Sequence, residues 1–386
     1  MEQYYNAMNV LEYLERSAEN YPDKISFADE HEAMTFVQFR DAAMQIGSGL
    51  KPYGLQKDPV VILMDARHIP CLKAMMGVVY SGCFYIPLDP VSPVERLQVI
   101  FDQLQPKLVI YDEKAEAARE AMSDSWTFVA YAELIGSAID MTYLEEVRSH
   151  SNYYDMLYIM YTSGSTGVPK GAVHTHGHLI EYSEFTYRRY PFDEHTVFGN
   201  QSPFFYSNSL LDIFPPLAIG ASVYILSASL LTFPKKMIEA MQQYHITELC
   251  MTPSSFINIV NAGVLAPHCL PDLQWGIMSG ESMPWPPLKA WMEATPNASW
   301  WHYYGSTEAF SVAVGKVEKN HEAGQRLPVG NPFALAHILF LDEDGREAAP
   351  GEPGEMLVSS PWIAWGYHRD EDRTNASWTV DPLKKG

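Results

Sequence analysis

Basic residues are in short supply. Lys and Arg number 26 against 47 Asp and Glu, and the 386-residue chain carries a net charge of -21. A surface of that sign repels phosphate backbones, so no nucleic-acid partner is expected. Cysteine is scarcer still, at four: Cys71, Cys83, Cys250 and Cys269. No two of them form a CxxC pair, which excludes that type of metal or redox site. Thinly spread thiols fit a reducing cytoplasm rather than a disulfide framework. No apolar run approaches the roughly 18 residues of a spanning helix, and residues 1–6 contain neither a basic nor an apolar stretch. Neither a membrane span nor a secretory leader is therefore expected. There is also no internal repeat and no low-complexity tract.

What is present is core material. Hydrophobic residues make up 47% and charged residues only 19%, so the chain can bury a large interior. Its length points to two or three domains or one large composite unit. Helical spacing marks residues 9–16, and Thr35 is placed to cap a helix over 36–50. A helical stretch over 69–80 follows. Short apolar runs at 60–64, 83–88, 107–111, 157–161, 222–226, 248–251 and 275–278 read as strands buried on both faces. Strands alternating with helices predict parallel sheets covered by helices. Beyond about Gly330 the pattern changes. Residues 337–341, a turn at 342–345 and residues 354–358 read as a hairpin in a small antiparallel unit.

The strand at 157–161 runs into Thr162-Ser163-Gly164-Ser165-Thr166-Gly167-Val168-Pro169-Lys170-Gly171. A loop rich in Gly, Ser and Thr exposes backbone N–H groups and short hydroxyl donors, and Lys170 adds a point charge. That combination suits a polyphosphate. The spacing is not GxxxxGK[ST], so a standard P-loop NTPase is excluded. On its own, such a loop reads first as a flexible surface segment.

The ten-residue string resembles the phosphate-binding motif of the adenylate-forming superfamily: acyl- and aryl-CoA synthetases, luciferases and nonribosomal peptide synthetase adenylation domains. Further motifs follow in the family's order. Residues 74–77 and 83–90 resemble an early core motif, and Tyr303-Tyr304-Gly305-Ser306-Thr307-Glu308 the aromatic-Gly-x-Thr-Glu motif. Residues 327–332, and Gly354-Glu355 through Gly366-Tyr367, resemble later ones. The style is closest to peptide-synthetase adenylation domains and D-alanine–carrier-protein ligases. The fold this implies is α/β: two parallel-sheet α/β subdomains with flanking helices over 1–330, and a partial antiparallel β-barrel subdomain over 331–386. The family's C-terminal small domain, with its lysine for adenylation, is expected to lie beyond this chain.

The implied reaction joins a carboxylate to the α-phosphorus of ATP and expels pyrophosphate. Two anions must meet, so cations and N–H donors are needed around the phosphates. By resemblance, Thr162, Ser163, Gly164, Ser165, Thr166, Gly167 and Lys170 cradle them, and Glu308 holds Mg²⁺. One carboxylate together with phosphate oxygens and waters suits that ion. Thr307 resembles the residue reaching the α-phosphate or acyl carbonyl, so Thr307 and Lys170 are the catalytic candidates. Tyr304 resembles the residue that stacks on adenine, with Gly280, Glu281 and Ser282 as the opposite wall and Gly305 and Ser306 adjoining. His302 stands where peptide-synthetase domains usually have Asn, and a neutral imidazole can accept one bond there.

The acid pocket is assigned by the same resemblance to Tyr206, Ser207, Asn208, Leu211, Ser254, Ile277, Ser279, Tyr303, Ser311 and Val312. Domains that activate α-amino acids usually carry Asp where this chain has Ser207. A buried ammonium needs such a partner. Either the acid lacks an α-amino group or another carboxylate pairs with it. Asp212 is near in sequence, but its position along a helix turns it elsewhere. Tyr303 replaces a usually small residue and shortens the pocket, so a small polar or aromatic acid is expected. The thiol that accepts the acyl group is expected to be phosphopantetheine on a carrier protein. CoA is the near alternative, and a noncatalytic nucleotide-binding module is an alternative of a different class.

Overall fold

In a computed structural model, which describes residues 7–122, 125–163, 167–318 and 327–380, the apolar runs become strands and the amphipathic stretches the helices that cover them. Strands β1 (Ile25–Ala28) and β2 (Ala33–Thr35) come first and join a sheet completed later in the chain. Six strands then form a sheet of their own: β3 (Pro59–Leu63), β4 (Phe84–Leu88), β5 (Leu108–Tyr111), β6 (Phe128–Ala130), β7 (Met156–Ser163) and β8 (Pro169–Thr175). Their order is β6-β5-β3-β4-β7-β8, parallel throughout except for the β7–β8 pair. β3 is almost wholly buried, as a strand covered on both faces must be.

The second sheet adds β9 (Val197–Asn200), β10 (Ser222–Ile225), β11 (Glu248–Met251), β12 (Trp275–Ser279), β13 (Ser299–Ser306), β14 (Phe310–Lys316) and β15 (Asn331–Pro332). Its order is β15-β14-β13-β12-β11-β9-β10-β1-β2, with a parallel centre and antiparallel edges. The small unit at the end of the chain is an antiparallel pair, β16 (His337–Leu341) and β17 (Glu355–Ser359). No barrel closes among the described residues. Nor, among these residues, is any helix long and apolar enough to cross a membrane.

Local signals set the element ends. Thr35 caps the helix Phe36–Gly49: its hydroxyl accepts from the Gln38 N–H, and the Gln38 side chain accepts from the Thr35 N–H. That helix packs closely on Ile69–Tyr80 because Gly47 of the first and Gly77 of the second each face the opposite helix. A Cβ on Gly77 would lie 2.4 Å from Ile46 Cγ2. Residues 364–368 lie along β8: the Trp365 N–H donates to Val173 O (3.0 Å), the Val173 N–H to Gly366 O (3.1 Å) and the His368 N–H to Gly171 O (2.8 Å). This docking carries Tyr367 to the end of the β7–β8 hairpin.

Candidate active site

The β7–β8 register pairs Thr162 with Lys170 and Ser163 with Pro169, so the predicted loop is the tip of a hairpin. Gly164, Ser165 and Thr166 fall outside the described residues. Gly167 has φ +80° with open space around it. The Thr162 hydroxyl is buried with no hydrogen-bond partner among the described residues. Lys170 Nζ lies 3.0 Å from Glu308 Oε1 and also donates to the Tyr367 hydroxyl. The Tyr367 hydroxyl in turn donates to Glu308 Oε1 at 2.6 Å. Lys170 also sits over the Tyr367 ring, 4.5 Å from its centroid. Burial opposes charge on all three groups. For Glu308, the bonds from Tyr367 and Lys170 outweigh burial and hold its carboxyl below the ordinary value. For Lys170, the bonds to Tyr367 and Glu308 outweigh burial and hold its ammonium above the ordinary value. Burial and the Glu308 bond push the Tyr367 phenol up. At neutral pH the group is therefore ammonium, phenol and carboxylate.

Glu308 arrives on the turn between β13 and β14, not at a helix start. The ladder shifts register between Tyr304 and Gly305, and a Cβ on Gly305 would fall 1.7 Å from the Phe310 carbonyl oxygen. Only glycine lets the two strands approach so closely there. Two groups hold the turn from outside. The Ala364 N–H donates to Glu308 O at 2.7 Å, and His174 Nε2 lies 2.8 Å from Thr307 O. His174 is fully buried and stacked on Phe310, with ring centroids 4.4 Å apart. Burial, helped by His178, pushes its pKa down to about 3. The ring is thus neutral, and its Nε2–H must donate, because Thr307 O can only accept.

A cavity of about 200 Å³ opens against this turn. Six residues assigned to the acid pocket line it: Ser207, Asn208, Leu211, Ser279, Tyr303 and Ser311. Gly280, Gly305, Ser306 and Thr307 from the nucleotide set form its other wall. The two sets meet where Ser207 Oγ lies 3.4 Å from Thr307 Oγ1. The Ser279 hydroxyl donates to Asn208 Oδ1 at 3.2 Å. Four assigned residues do not line the cavity. Tyr206 is 60% exposed beside it, and Ile277 and Val312 are buried in the sheet. Ser254 starts the helix Pro253–Asn261, where its N–H and hydroxyl donate to the Glu281 carboxylate at 3.0 and 3.1 Å.

Sequence reasoning missed Tyr182, Cys250 and Phe310, which also line the cavity. Tyr182 shares a helical face with His178, four residues apart on His176–Arg189, and that periodicity was the available signal. Tyr367 was seen as part of a motif but not as a member of the site. His302 is committed to backbone: Nε2 lies 3.1 Å from Glu281 O and Nδ1 3.3 Å from Pro328 O. Both oxygens only accept, so a ring with a single N–H donates to one of them, and the ring sits between the turn at Gly280–Glu281–Ser282 and Pro328. Gly280 turns there with φ +93°, and the pairing of Ser279 with Tyr303 brings the backbone of that turn level with Tyr304, which is 42% exposed.

Beneath the cavity lie two carboxyls. Asp212 is fully buried and accepts from Asn200 Nδ2 at 3.0 Å. Glu248 is fully buried, with neither carboxyl oxygen partnered among the described residues. Burial pushes both well above the ordinary carboxyl value, and Asp212 adds to the shift of Glu248.

Known proteins are similar to this chain in sequence and in fold. A D-alanine–D-alanyl carrier protein ligase of Bacillus licheniformis is 25% identical over 371 residues, 93% of this chain and 71% of that protein. An L-proline–[L-prolyl-carrier protein] ligase of Pseudomonas fluorescens is 26% identical over 368 residues, 92% of this chain and 73% of that protein. A holo four-domain nonribosomal peptide synthetase, solved bound to AMP and glycine, superposes with a TM-score of 0.82 at 21% identity. The match covers 97% of this chain and 27% of that one. The model of the AMP-binding enzymes matches residues 14–368, and the chain belongs to that family.

Proposed function

We propose that this chain activates a small carboxylic acid as its acyl-adenylate, and that in the full-length enzyme the acyl group passes to the phosphopantetheine thiol of a carrier protein. A carboxylate oxygen attacks the α-phosphorus of ATP, the bond to the bridging oxygen breaks, and pyrophosphate leaves. The observation that carries this reading is the meeting of the acid cavity and the charged group at one turn, with Ser207 Oγ 3.4 Å from Thr307 Oγ1. Lys170 faces the phosphates from the β8 side, and the Thr307 hydroxyl stands at the junction where carboxylate and α-phosphate meet. Glu308 suits Mg²⁺, being a partly buried carboxylate kept ionised by its neighbours. That ion, when bound, supplies charge neutralisation for the polyphosphate. The carrier-protein ligases among the relatives favour a carrier over CoA.

The acid is proposed to lack an α-ammonium. None of the described residues lining the cavity is acidic, and burial disfavours the charged form of Asp212 and Glu248 nearby. The cavity of about 200 Å³ excludes long acyl chains, and its hydroxyls suit a hydroxy, keto or small aryl acid. ATP–pyrophosphate exchange by the full-length enzyme against an acid panel tests this. Exchange is expected with such acids and not with D-alanine or L-proline. Strong exchange with an amino acid would overturn the substrate class, and no exchange with any acid would overturn the activity.

A further inference from the structure

Away from the acid cavity, the β1–β2 turn of one sheet meets the start of the helix Ile69–Tyr80 that follows β3 of the other. Glu30, His31 and His68 each bring one metal-ligating atom there, and these three atoms lie within 4.8 Å of one another. The two imidazole centroids are 4.9 Å apart, and His31 Nε2 is 3.7 Å from Glu30 Oε1. The other oxygen of Glu30 accepts from the Ser229 hydroxyl at 3.3 Å, which steadies that carboxylate.

The His68 ring is preset. Its Nδ1 lies 3.3 Å from Asp29 Oδ2, and a carboxylate can only accept, so Nδ1 carries the proton. Asp29 is 5% exposed and is itself fixed by three backbone N–H donors: His31 at 2.8 Å, Glu32 at 2.9 Å and Ile69 at 3.1 Å. A buried carboxylate behind an imidazole is the arrangement that orients a metal-binding histidine and strengthens its free nitrogen as a donor. That nitrogen, Nε2, lies 3.4 Å from Asp65 Oδ2, a carboxylate also paired with Lys114. A proton on Nε2 makes that contact attractive, and a metal ion bound at Nε2 would take that proton's place beside the carboxylate.

We propose that Glu30, His31 and His68 form a zinc-class metal site, oriented by Asp29, that ties the two sheets together at their seam. Two imidazoles and one carboxylate suit Zn²⁺ and not the hard Mg²⁺ expected at Glu308, and water would fill the fourth position. The ligand atoms must draw in to about 3.3 Å apart around a tetrahedral ion with bonds of about 2.0–2.1 Å. The His31 side chain, 68% exposed, has the freedom to make that movement, while His68 stays where Asp29 holds it.

The test uses chelator-treated, dialysed protein titrated with Zn²⁺ by calorimetry and with Co²⁺ by visible absorption. One equivalent of Zn²⁺ is expected to bind with a micromolar or tighter dissociation constant, and Co²⁺ is expected to give a tetrahedral d–d band. His31→Ala, at an exposed position that leaves the fold intact, is expected to weaken binding at least about tenfold and abolish the Co²⁺ band. Glu308→Gln and His245→Ala are expected to leave both unchanged. Excess Zn²⁺ is expected to raise the melting temperature of the parent and not of His31→Ala. Absence of saturable binding, retention of full affinity in His31→Ala, or its loss in Glu308→Gln would each overturn the proposal.

Discussion

On the phosphate side, Lys170, Tyr367 and Glu308 close a chain in which each charged end has a partner. Under the acid cavity the reverse holds. The Tyr303 hydroxyl, one Asp212 oxygen and both Glu248 oxygens are buried without a hydrogen-bond partner among the described residues. A paired charge lowers its burial cost and stays ionised, whereas an unpaired buried carboxyl takes up a proton. The two halves therefore have different roles. In the proposed reaction the phosphate side supplies fixed charges that serve any acid, and the cavity side presents polar groups whose pattern selects one acid.

The largest effect should come from breaking the paired side. Lys170→Ala or Glu308→Gln is expected to lower pyrophosphate exchange about 10²–10³-fold while changing the melting temperature little, because each removes a group aimed at developing charge. Equal loss of stability and activity would mean that the pair only supports the fold. Converting the neutral side comes next. Ser207→Asp places a carboxylate in the cavity and is expected to admit a small α-amino acid while lowering exchange with the native acid about tenfold. If the acid panel's ranking does not move, Ser207 does not face the substrate.

Smaller effects probe the two halves through stability and one hydroxyl. Folded Glu248 keeps a proton that the unfolded chain releases above the ordinary carboxyl value. The folded state then binds more protons, so stability falls as pH rises from that value toward neutral. Glu248→Gln removes this linkage and is expected to flatten the decline and stabilise the protein by about 1–3 kcal/mol at neutral pH. Melting curves from acid to neutral pH measure it, and an unchanged slope would mean that Glu248 is ionised. Tyr367→Phe removes one link in the paired chain and is expected to cost about three- to tenfold in exchange, in line with a single hydrogen bond. A larger loss would give Tyr367 a role beyond positioning Lys170 and Glu308.

Legibility differed between the same two halves. Lys170 and Glu308 stand in contiguous strings, so a linear reading finds them, although they are 138 positions apart and meet only through packing. Tyr182, Cys250 and Phe310 come from a helix and two strands whose pocket-facing sides appear only when those elements pack. Ser254 shows the converse. It sits near the pocket in the chain's order of motifs, but helix capping turns it to Glu281. Glu248 reads as one polar residue in a buried strand, and nothing local signals that it shares an interior with Asp212.

The sequence by itself determined the apolar strands, the Thr35 cap, the strand that leads into the Gly/Ser/Thr-rich string and the carboxylate on the aromatic-Gly-Ser-Thr-Glu turn, because each depends on residue types within a few positions. Only the tertiary structure decided that Tyr367 would join Lys170 to Glu308, that buried His174 would hold the Thr307 carbonyl, and that the cavity would be lined by neutral groups. Those outcomes depend on which faces meet and how far water is excluded. Charge state and contact are properties of the packed interior, not of the local string.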